Sequence, residues 1–208
     1  MELRFIKDME DYQYILKHKK SAFSSVFKNK IIDFTKTFDK PEYYESELIA
    51  FPFFEDYYYA IIKDLIKNNI KSVIDIGCQV GLQSELFIKT GIRYTGIDNS
   101  TVRFFNDNYT NVNFKFDNFM NIEIKDKVCI VSMSIGYFSD NIYSDDDYIK
   151  KLSECKRLYI VSRPEFIERL KLSMNLVDKL HNISLDIEKD KDLSISDGYI
   201  YIFEKNNS

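Results

Sequence analysis

The sequence predicts an α/β fold: a seven-stranded, mostly parallel, doubly wound sheet with an antiparallel hairpin at its carboxyl-terminal end. Three observations predict this fold. From residue 71 onward, short β-branched runs alternate with segments of helical periodicity, the order that produces a parallel sheet covered by helices. Near the end, two alternating runs are joined by a polar segment, as in a hairpin. The 208 residues suffice for one such domain with a complete core.

The individual strands and helices follow from the period of their apolar residues. Parallel strands are predicted at 72–76, 93–97, 112–116, 127–133 and 157–162. Between and after them, helices are predicted at 81–89, 100–108, 145–154 and 165–180. The two strands of the closing hairpin are predicted at 182–188 and 198–204.

Residues 1–70 show helical patterns and predict a helical cap rather than an independent domain, so that residues 71–208 form the main domain. A short helix is expected at 11–19 and a long one from about Phe53 to Asn68. Its apolar residues recur every three or four positions, so one stripe should pack on the sheet. These residues are Phe54, Tyr58, Ile61, Ile62, Leu65 and Ile66.

Composition and charge exclude several classes of protein. No apolar run approaches the roughly 18 residues of a membrane span, and the amino terminus lacks the pattern of a signal peptide, so a cytoplasmic protein is expected. Three cysteines without CxxC spacing predict neither a disulfide framework nor a zinc site, and no metal is expected. The formal net charge of −4 provides no general attraction to phosphate backbones, which disfavours nucleic acid as a partner.

Glycine is concentrated at the end of the first predicted strand. The chain has six glycines, and Gly77, Gly81, Gly91 and Gly96 fall within twenty residues of one another. A strand that ends at Asp75-Ile-Gly77 and turns into a helix after Gly81 places backbone amides beside a bound polar ligand. The sequence therefore predicts a ligand-binding loop at this turn.

The segment Asp75-x-Gly77-x-x-x-Gly81 resembles motif I of class I S-adenosylmethionine-dependent methyltransferases, with Gln79 in place of the family's middle glycine. The resemblance covers roughly residues 71–205 and implies the fold described above, closed by its antiparallel hairpin. It also implies that Asp75 helps to hold the methionine ammonium and that Gly77 and Cys78 line the pocket. The nicotinamide fingerprint GxGxxG fails at Gln79 and Leu82, which disfavours NAD.

Two further strand ends carry carboxylates. Asp98 lies 21 residues after Gly77, the spacing at which an acidic side chain accepts hydrogen bonds from both ribose hydroxyls. By resemblance, Asp117 would bind the adenine amine, with Asn118 beside it, and Asn99 would also contact the cofactor. Simpler interpretations exist: Asp75 as a strand-end acid, Asp98 as a helix cap and Asp117 as a turn residue. Three acids at three successive strand ends together favour S-adenosylmethionine binding.

The methyl acceptor is expected beyond the fourth strand, where the sequence reads Ser132-Met-Ser-Ile-Gly-Tyr-Phe138. Ser132 is assigned to the cofactor, and Ser134, Gly136 and Tyr137 to an acceptor pocket. The Asp/Asn-Pro-Pro-Tyr/Phe motif of amino-methylating DNA enzymes and the Pro-Cys nucleophile of cytosine-C5 enzymes are both missing. The two best-defined nucleic-acid methylation chemistries are therefore unsupported.

No general base emerges from the sequence, and the catalytic residues are left unassigned. His18 lies in a basic run of the cap, and His181 is expected at the end of the sheet opposite the ligand. Tyr57 and Tyr59 lie off the apolar stripe and are candidates to face the ligand, although packing is the stronger interpretation. Ser144 and the three acids after it are interpreted as a capped helix start rather than an acidic site.

The sequence thus predicts a methyltransferase that uses S-adenosylmethionine and acts on a small molecule or a protein side chain. Two alternatives remain. One is a binding or regulatory protein that has the fold but no catalysis, motivated by Gln79 and the missing base. The other is an RNA-modifying enzyme, which would require Lys and Arg clustered on the crevice face.

Overall fold

The computed structural model describes residues 57–88, 90–99, 104, 109–132, 134–135, 142–181 and 199–206. In this part of the chain, seven strands form one sheet in the order β3-β2-β1-β4-β5-β7-β6. The strands are β1 (Ser72–Ile76), β2 (Arg93–Asp98), β3 (Val112–Phe116), β4 (Val128–Ser132), β5 (Arg157–Val161), β6 (Met174–His181) and β7 (Tyr199–Lys205). The described helices are α1 (57–67), α2 (Ser84–Ile88), α3 (Asp145–Leu152) and α4 (Pro164–Leu170), with a 3₁₀ turn at Phe119–Asn121.

The mostly parallel sheet with its closing antiparallel pair is confirmed. Strands β1 to β5 pair in parallel, whereas β7 runs antiparallel to both β5 and β6. Each of the five parallel strands lies within one residue of its predicted bounds. The predicted helix at 11–19, most of the predicted helix at 100–108 and the predicted strand at 182–188 lie outside the described residues.

The predicted helix at 165–180 is wrong beyond its first two turns. Helix α4 ends at Leu170, and from Met174 the chain forms strand β6. The apolar residues Leu170, Met174 and Val177 follow a helical spacing, but pairing with β7 over the length of β6 overrides this local preference. Val177 lies at the register shift between Leu176 and Asp178 of this edge strand and is 46% exposed.

The expected position of His181 is also wrong. His181 pairs with Tyr199 at the carboxyl edge of the parallel strands, because β6 runs in the same direction as β5. Four strand spacings separate β6 from β1 in the sheet order, about 19 Å at the usual distance between strands. His181 therefore lies on the edge expected to bind ligand, but far from the glycine turn.

Two apolar cores lie on opposite faces of the sheet. On one face, α1 packs over β1, β2 and β4 through four residues of the predicted stripe, Tyr58, Ile61, Ile62 and Leu65, whereas Phe54 lies outside the described residues. Ile66 is an exception: it is 54% exposed and does not belong to the stripe. On the other face, α3 and α4 cover β4, β5 and β7. Among the described helices, none has the length and apolar character to cross a membrane.

Helix α1 is also tied to the sheet by a buried polar cluster. Asp64 accepts a 2.6 Å hydrogen bond from the Tyr159 hydroxyl and forms a 2.8 Å ion pair with Arg157. Arg157 also pairs with Glu204 of β7. The cluster therefore joins α1, β5 and β7 at the amino-terminal end of the parallel strands.

Candidate functional site

A cleft of about 160 Å³ lies where β1, β2 and β3 end. The strand ends and the segment after β4 form its walls, which brings together six residues predicted from the sequence. These residues are Gly77, Asp98, Asn99, Asp117, Asn118 and Ser134. The apolar part of the lining is contributed by Ile76, Ile97, Phe119, Ile135 and Tyr148.

A larger cavity of about 230 Å³ lies near the amino-terminal ends of β1, β2 and β4 and is lined by Arg93 and Lys127 among others. We place the functional site in the smaller cleft. Ligands of open α/β sheets bind at the carboxyl ends of the strands, and the glycine turn is found there. The larger cavity contains none of the residues that the sequence singles out.

Gly77 is required by both its conformation and its surroundings. Its φ of +72° is in the left-handed region, and a Cβ at this position would overlap the side chain of Ser134. The Ser134 hydroxyl in turn donates a 3.0 Å hydrogen bond to the carbonyl of Ile76. Ser134, predicted as an acceptor-pocket residue, therefore packs directly on the glycine turn.

Residues Cys78 to Gly81 form a tight turn closed by a 3.0 Å hydrogen bond from the Gly81 N–H to the Cys78 carbonyl. Gln79, in place of the family's middle glycine, has a φ of +50° and an exposed side chain. A positive φ at the second position of a turn usually requires Gly, Asn or Asp. The Gln79 N–H donates a 2.8 Å hydrogen bond to Oδ2 of Asp98, which joins the turn to the end of β2.

Gly81 and Cys78 lie behind the cleft rather than in its lining. A Cβ at Gly81 would overlap the ring of Phe114, and a Cβ at Gly96 would lie 2.7 Å from both that ring and the Cys78 sulfur. The N–H groups of Gly77 and Cys78 donate to the Ile97 carbonyl at 2.8 and 3.2 Å. These amides therefore shape the turn and do not point to a ligand.

Asp75 is completely buried beneath the turn. Its Oδ2 accepts hydrogen bonds from the hydroxyl of Tyr94 at 2.7 Å, the side-chain amide of Gln83 at 2.9 Å and the hydroxyl of Tyr58 at 3.0 Å. Burial raises the pKa of this carboxyl to about 6, although its three hydrogen bonds oppose the rise. A ligand in the cleft does not reach Asp75 in this arrangement, in contrast to the role implied for it by resemblance.

The remaining acids and amides of the cleft have local partners as well. Asp98 is 7% exposed, and the Asp117 N–H donates to its backbone carbonyl at 3.1 Å. Asp117 uses Oδ1 to accept from the Asn118 N–H and the Asn121 side chain, and the described contacts leave its Oδ2 available. Asn118 caps the 3₁₀ turn through Met120. Asp117 thus has the turn role of the simpler interpretation and Asn118 caps the 3₁₀ turn, while both residues still line the cleft.

Other predicted site residues lie away from the cleft or outside the described residues. Ser132 ends β4 half-buried and is not in the lining. Tyr57 is 1% exposed and packs edge-on against Tyr58 in the core, and Tyr59 is half-buried elsewhere on α1. Gly136 and Tyr137 are not among the described residues.

The acidic segment after Ser144 is a helix cap, as predicted. Ser144 and Asp147 form a reciprocal capping box at the start of α3. Asp145 forms ion pairs with Arg163 and Arg169, and Asp146 forms one with Arg169. Arg169 belongs to α4, and Arg163 directly precedes it. Both acids therefore have basic partners within the protein.

Sequence reasoning missed Gln83 and the aromatic wall of the cleft. Tyr148 of α3 stacks on Phe119 with ring centroids 5.7 Å apart, and both rings line the cleft. Phe119 could have been found because it follows the predicted Asp117-Asn118 pair directly. Gln83 carried no such signal, since its importance depends on contacts that only the fold creates.

No family model matches the sequence, and no curated protein sequence does either. Solved structures do match. The N-methyltransferase NodS from Bradyrhizobium japonicum WM9, in complex with S-adenosylhomocysteine, has a TM-score of 0.53 and 12% identity, covering 86% of this chain and 100% of that chain. Magnesium protoporphyrin IX methyltransferase ChlM from Synechocystis PCC 6803, with bound S-adenosylhomocysteine, has a TM-score of 0.52 and 12% identity, covering 71% of this chain and 80% of that chain. At such low identity the likeness establishes the fold, and the expected fold is confirmed.

Proposed function

We propose that this chain, which has the fold of class I S-adenosylmethionine-dependent methyltransferases, binds S-adenosylmethionine in the cleft and transfers its methyl group to a small molecule or a protein side chain. One observation carries the proposal: Gly77 of the glycine turn and the carboxylates at the two next strand ends, Asp98 and Asp117, line the same cleft. The two carboxylates correspond to the ribose and the adenine of the cofactor. The resemblance of the turn to motif I and the two structures with bound S-adenosylhomocysteine support the same ligand.

The residues of the cleft fit the chemistry of this cofactor. The carboxylate of Asp98 can accept hydrogen bonds from ribose hydroxyls, while the Gln79 N–H holds its Oδ2 in place. Oδ2 of Asp117 can accept from the exocyclic amine of adenine. The apolar side chains of Ile97 and Phe119 provide faces for the flat ring.

Bound S-adenosylmethionine supplies an activated methyl group, which moves from sulfur to the acceptor as the sulfur–carbon bond breaks and the product S-adenosylhomocysteine forms. The task of the protein is to align the acceptor with that bond and to exclude water. The lining contributed by the described residues contains no His, Lys or Arg. An acceptor that has lost its proton before it enters the cleft suits such a site best.

The charge of the cleft supports a small molecule or protein side chain over RNA. Among the described residues, two carboxylates and no cationic side chain line the cleft. The cleft therefore repels phosphates. A polynucleotide substrate needs the opposite charge beside the reacting base.

Calorimetric titration with S-adenosylhomocysteine and S-adenosylmethionine tests the first step, and we expect saturable binding that Asp98→Ala abolishes. Incubation with the radiolabelled cofactor and a cell extract, followed by protease or nuclease treatment, tests the second. Label in small molecules or in protease-sensitive material is expected. Label confined to nuclease-sensitive material would overturn the acceptor class, and no binding of either ligand at millimolar concentration would overturn the proposal.

A second candidate is a protein of this fold that binds a ligand without catalysis. The lining of the cleft favours it: among the described residues that line the cleft there is no His, Lys or Arg to act as a general base. The same titration separates the two functions when followed by the labelling experiment. Binding of S-adenosylmethionine without transfer of label to any fraction would support the second candidate.

A further inference from the structure

Side chains from three parts of the chain meet at the buried carboxylate of a fourth residue, Asp75. Tyr58 comes from α1, Asp75 from β1, Gln83 from the turn before α2 and Tyr94 from β2. None of them is more than 8% exposed. All three partners donate to Asp75, so we call this set the Asp75 cluster. Such a fully bonded polar group in a core fixes the relative positions of the segments that contribute to it.

Gln83 connects the Asp75 cluster to the turn that borders the cleft. Its amide nitrogen donates to Asp75 at 2.9 Å and to the Cys78 carbonyl at 3.1 Å, which uses both of its hydrogens. The same carbonyl accepts the N–H of Gly81 that closes the turn. The next N–H along the chain, that of Gln79, then reaches Asp98.

We propose that Asp75 and Gln83 are positioning residues: Asp75 orients Gln83, Gln83 fixes the Cys78–Gly81 turn, and the turn holds Asp98 for the cofactor. Asp75 itself does not contact the ligand. The inference rests on the proposed function and deepens it, because it replaces a direct role of Asp75 in cofactor binding with an indirect one. It also makes helix α1 part of the binding apparatus, since Tyr58 is a member of the Asp75 cluster.

Burial and hydrogen-bond capacity support this assignment over direct binding. Asp75 has no exposed surface, and all three of its donors reach Oδ2, with the Tyr58 hydroxyl also 3.2 Å from Oδ1. The groups that face it are the Tyr58 and Tyr94 phenols, the Cys78 thiol, the Gln83 amide and the more distant Asp98 carboxylate. Among these described groups none is cationic, so Asp75 has no charged partner and acts only as an acceptor of hydrogen bonds.

Gln83→Met tests the inference, because it removes both N–H groups and nearly preserves the volume of the side chain. We expect the affinity for S-adenosylhomocysteine to fall at least tenfold. We also expect the Gln79 amide to lose at least tenfold of its protection against hydrogen exchange, measured by NMR without ligand. The second measurement does not depend on the cofactor, so it distinguishes failure of this inference from failure of the proposed function.

Asn111→Leu is the matched control. The side-chain amide of Asn111 also holds backbone carbonyls, those of Phe87, Ile88 and Ile92, but in a different turn. It should lower stability yet leave both the Gln79 exchange and the affinity unchanged. If Gln83→Met and Asn111→Leu affect these two quantities equally, the positioning role is refuted.

If Gln83→Met does not fold, Tyr94→Phe provides the test instead, because Tyr94→Phe removes only one hydroxyl from the Asp75 cluster. A smaller loss of Gln79 protection is then expected, and unchanged protection would count against the inference. A crystal structure with S-adenosylhomocysteine provides the most direct check. Contact between the Asp75 carboxylate and the ligand ammonium would overturn the proposal.

Discussion

The backbone N–H of Gln79 lies 2.8 Å from Oδ2 of Asp98 and donates to it. Hydrogen bonds to a carboxylate are stronger than those between neutral groups, so this contact fixes the tip of β2 against the turn after β1. One oxygen of Asp98 is thus oriented by the protein, and the carboxylate is presented to the cleft in a set direction. This relationship leads to the first prediction.

Asp98→Ala should weaken S-adenosylhomocysteine binding by at least a hundredfold, because it removes both the proposed acceptor for the ribose and the contact with Gln79. Asp98→Asn should lose less, since its amide oxygen can still accept from Gln79. Calorimetry gives both affinities. Asp126→Ala, which changes an exposed acid paired with Lys205, is the control and should bind as the unchanged protein does. Equal affinity in Asp98→Ala and the control would contradict the assignment.

Gly77→Ala should destabilise the protein by about 2–4 kcal/mol, the sum of left-handed strain and overlap with Ser134. Urea denaturation measures the loss. Gly91→Ala is a matched control, because Gly91 has a φ of +71° but nothing within 4 Å of an added Cβ, so it should lose only about 1 kcal/mol. Adding Ser134→Gly to Gly77→Ala should recover the part due to overlap. Similar losses at the two glycines would show that crowding by Ser134 has no effect.

The ionisation of Asp75 should make stability fall between about pH 4 and pH 6. Its pKa is raised from 3.8 to about 6 in the folded protein, so the folded state binds the proton more tightly than the unfolded chain. The contribution of Asp75 to the free energy of unfolding is therefore largest below pH 3.8, declines between pH 3.8 and about pH 6, and does not change further above that pH. The size of the effect is about 3 kcal/mol. Subtracting the pH profile of Asp75→Asn from that of the unchanged protein isolates it, and parallel profiles would contradict the prediction.

Cofactor binding should show the opposite dependence on pH if the Asp75 cluster holds the turn. Below about pH 6 a protonated Asp75 has less capacity to accept, so Gln83 loses its orientation and the affinity for S-adenosylhomocysteine should fall severalfold. Tyr94→Phe removes a hydrogen bond that lowers the pKa of Asp75, so the loss should begin at a higher pH. Titrations from pH 5 to 8 provide the test, and an affinity that is independent of pH in this range would argue against it.

The parts of the site that lie close in sequence, or follow a fixed spacing, could be predicted. Gly77 was visible as a glycine at a strand end, and Asp98 from its distance of about twenty residues along the chain. The Asp75 cluster could not be predicted, because Tyr58, Gln83 and Tyr94 become neighbours only when α1 and β2 pack on β1. The error at 165–180 has a similar origin, since the pairing of β6 with β7 is not encoded in the local pattern of residues 171–180.

Arg157→Met should destabilise the protein by about 3–5 kcal/mol, since it leaves the buried Asp64 without its cationic partner. Removing both charges, in Asp64→Leu with Arg157→Met, should cost less than the single change. Lys205→Met removes one member of an exposed ion pair and should have little effect. Thermal and chemical denaturation compare the three variants. An Arg157→Met protein as stable as Lys205→Met would show that the buried pair contributes nothing.

Helix α1 is fastened at both ends of the sheet, by Tyr58 near the glycine turn and by Asp64 near the start of β5. A shortened protein that folds therefore cannot begin at residue 71, although the region that resembles the methyltransferases begins there. A chain truncated there would lack the Tyr58 hydroxyl that donates to Asp75 at one edge of the sheet. At the opposite edge, Arg157 would lose the Asp64 carboxylate. A proteolytic fragment or a shortened design would have to retain helix α1. Substitutions within residues 57–67 should therefore inactivate the protein without changing a residue of the cleft.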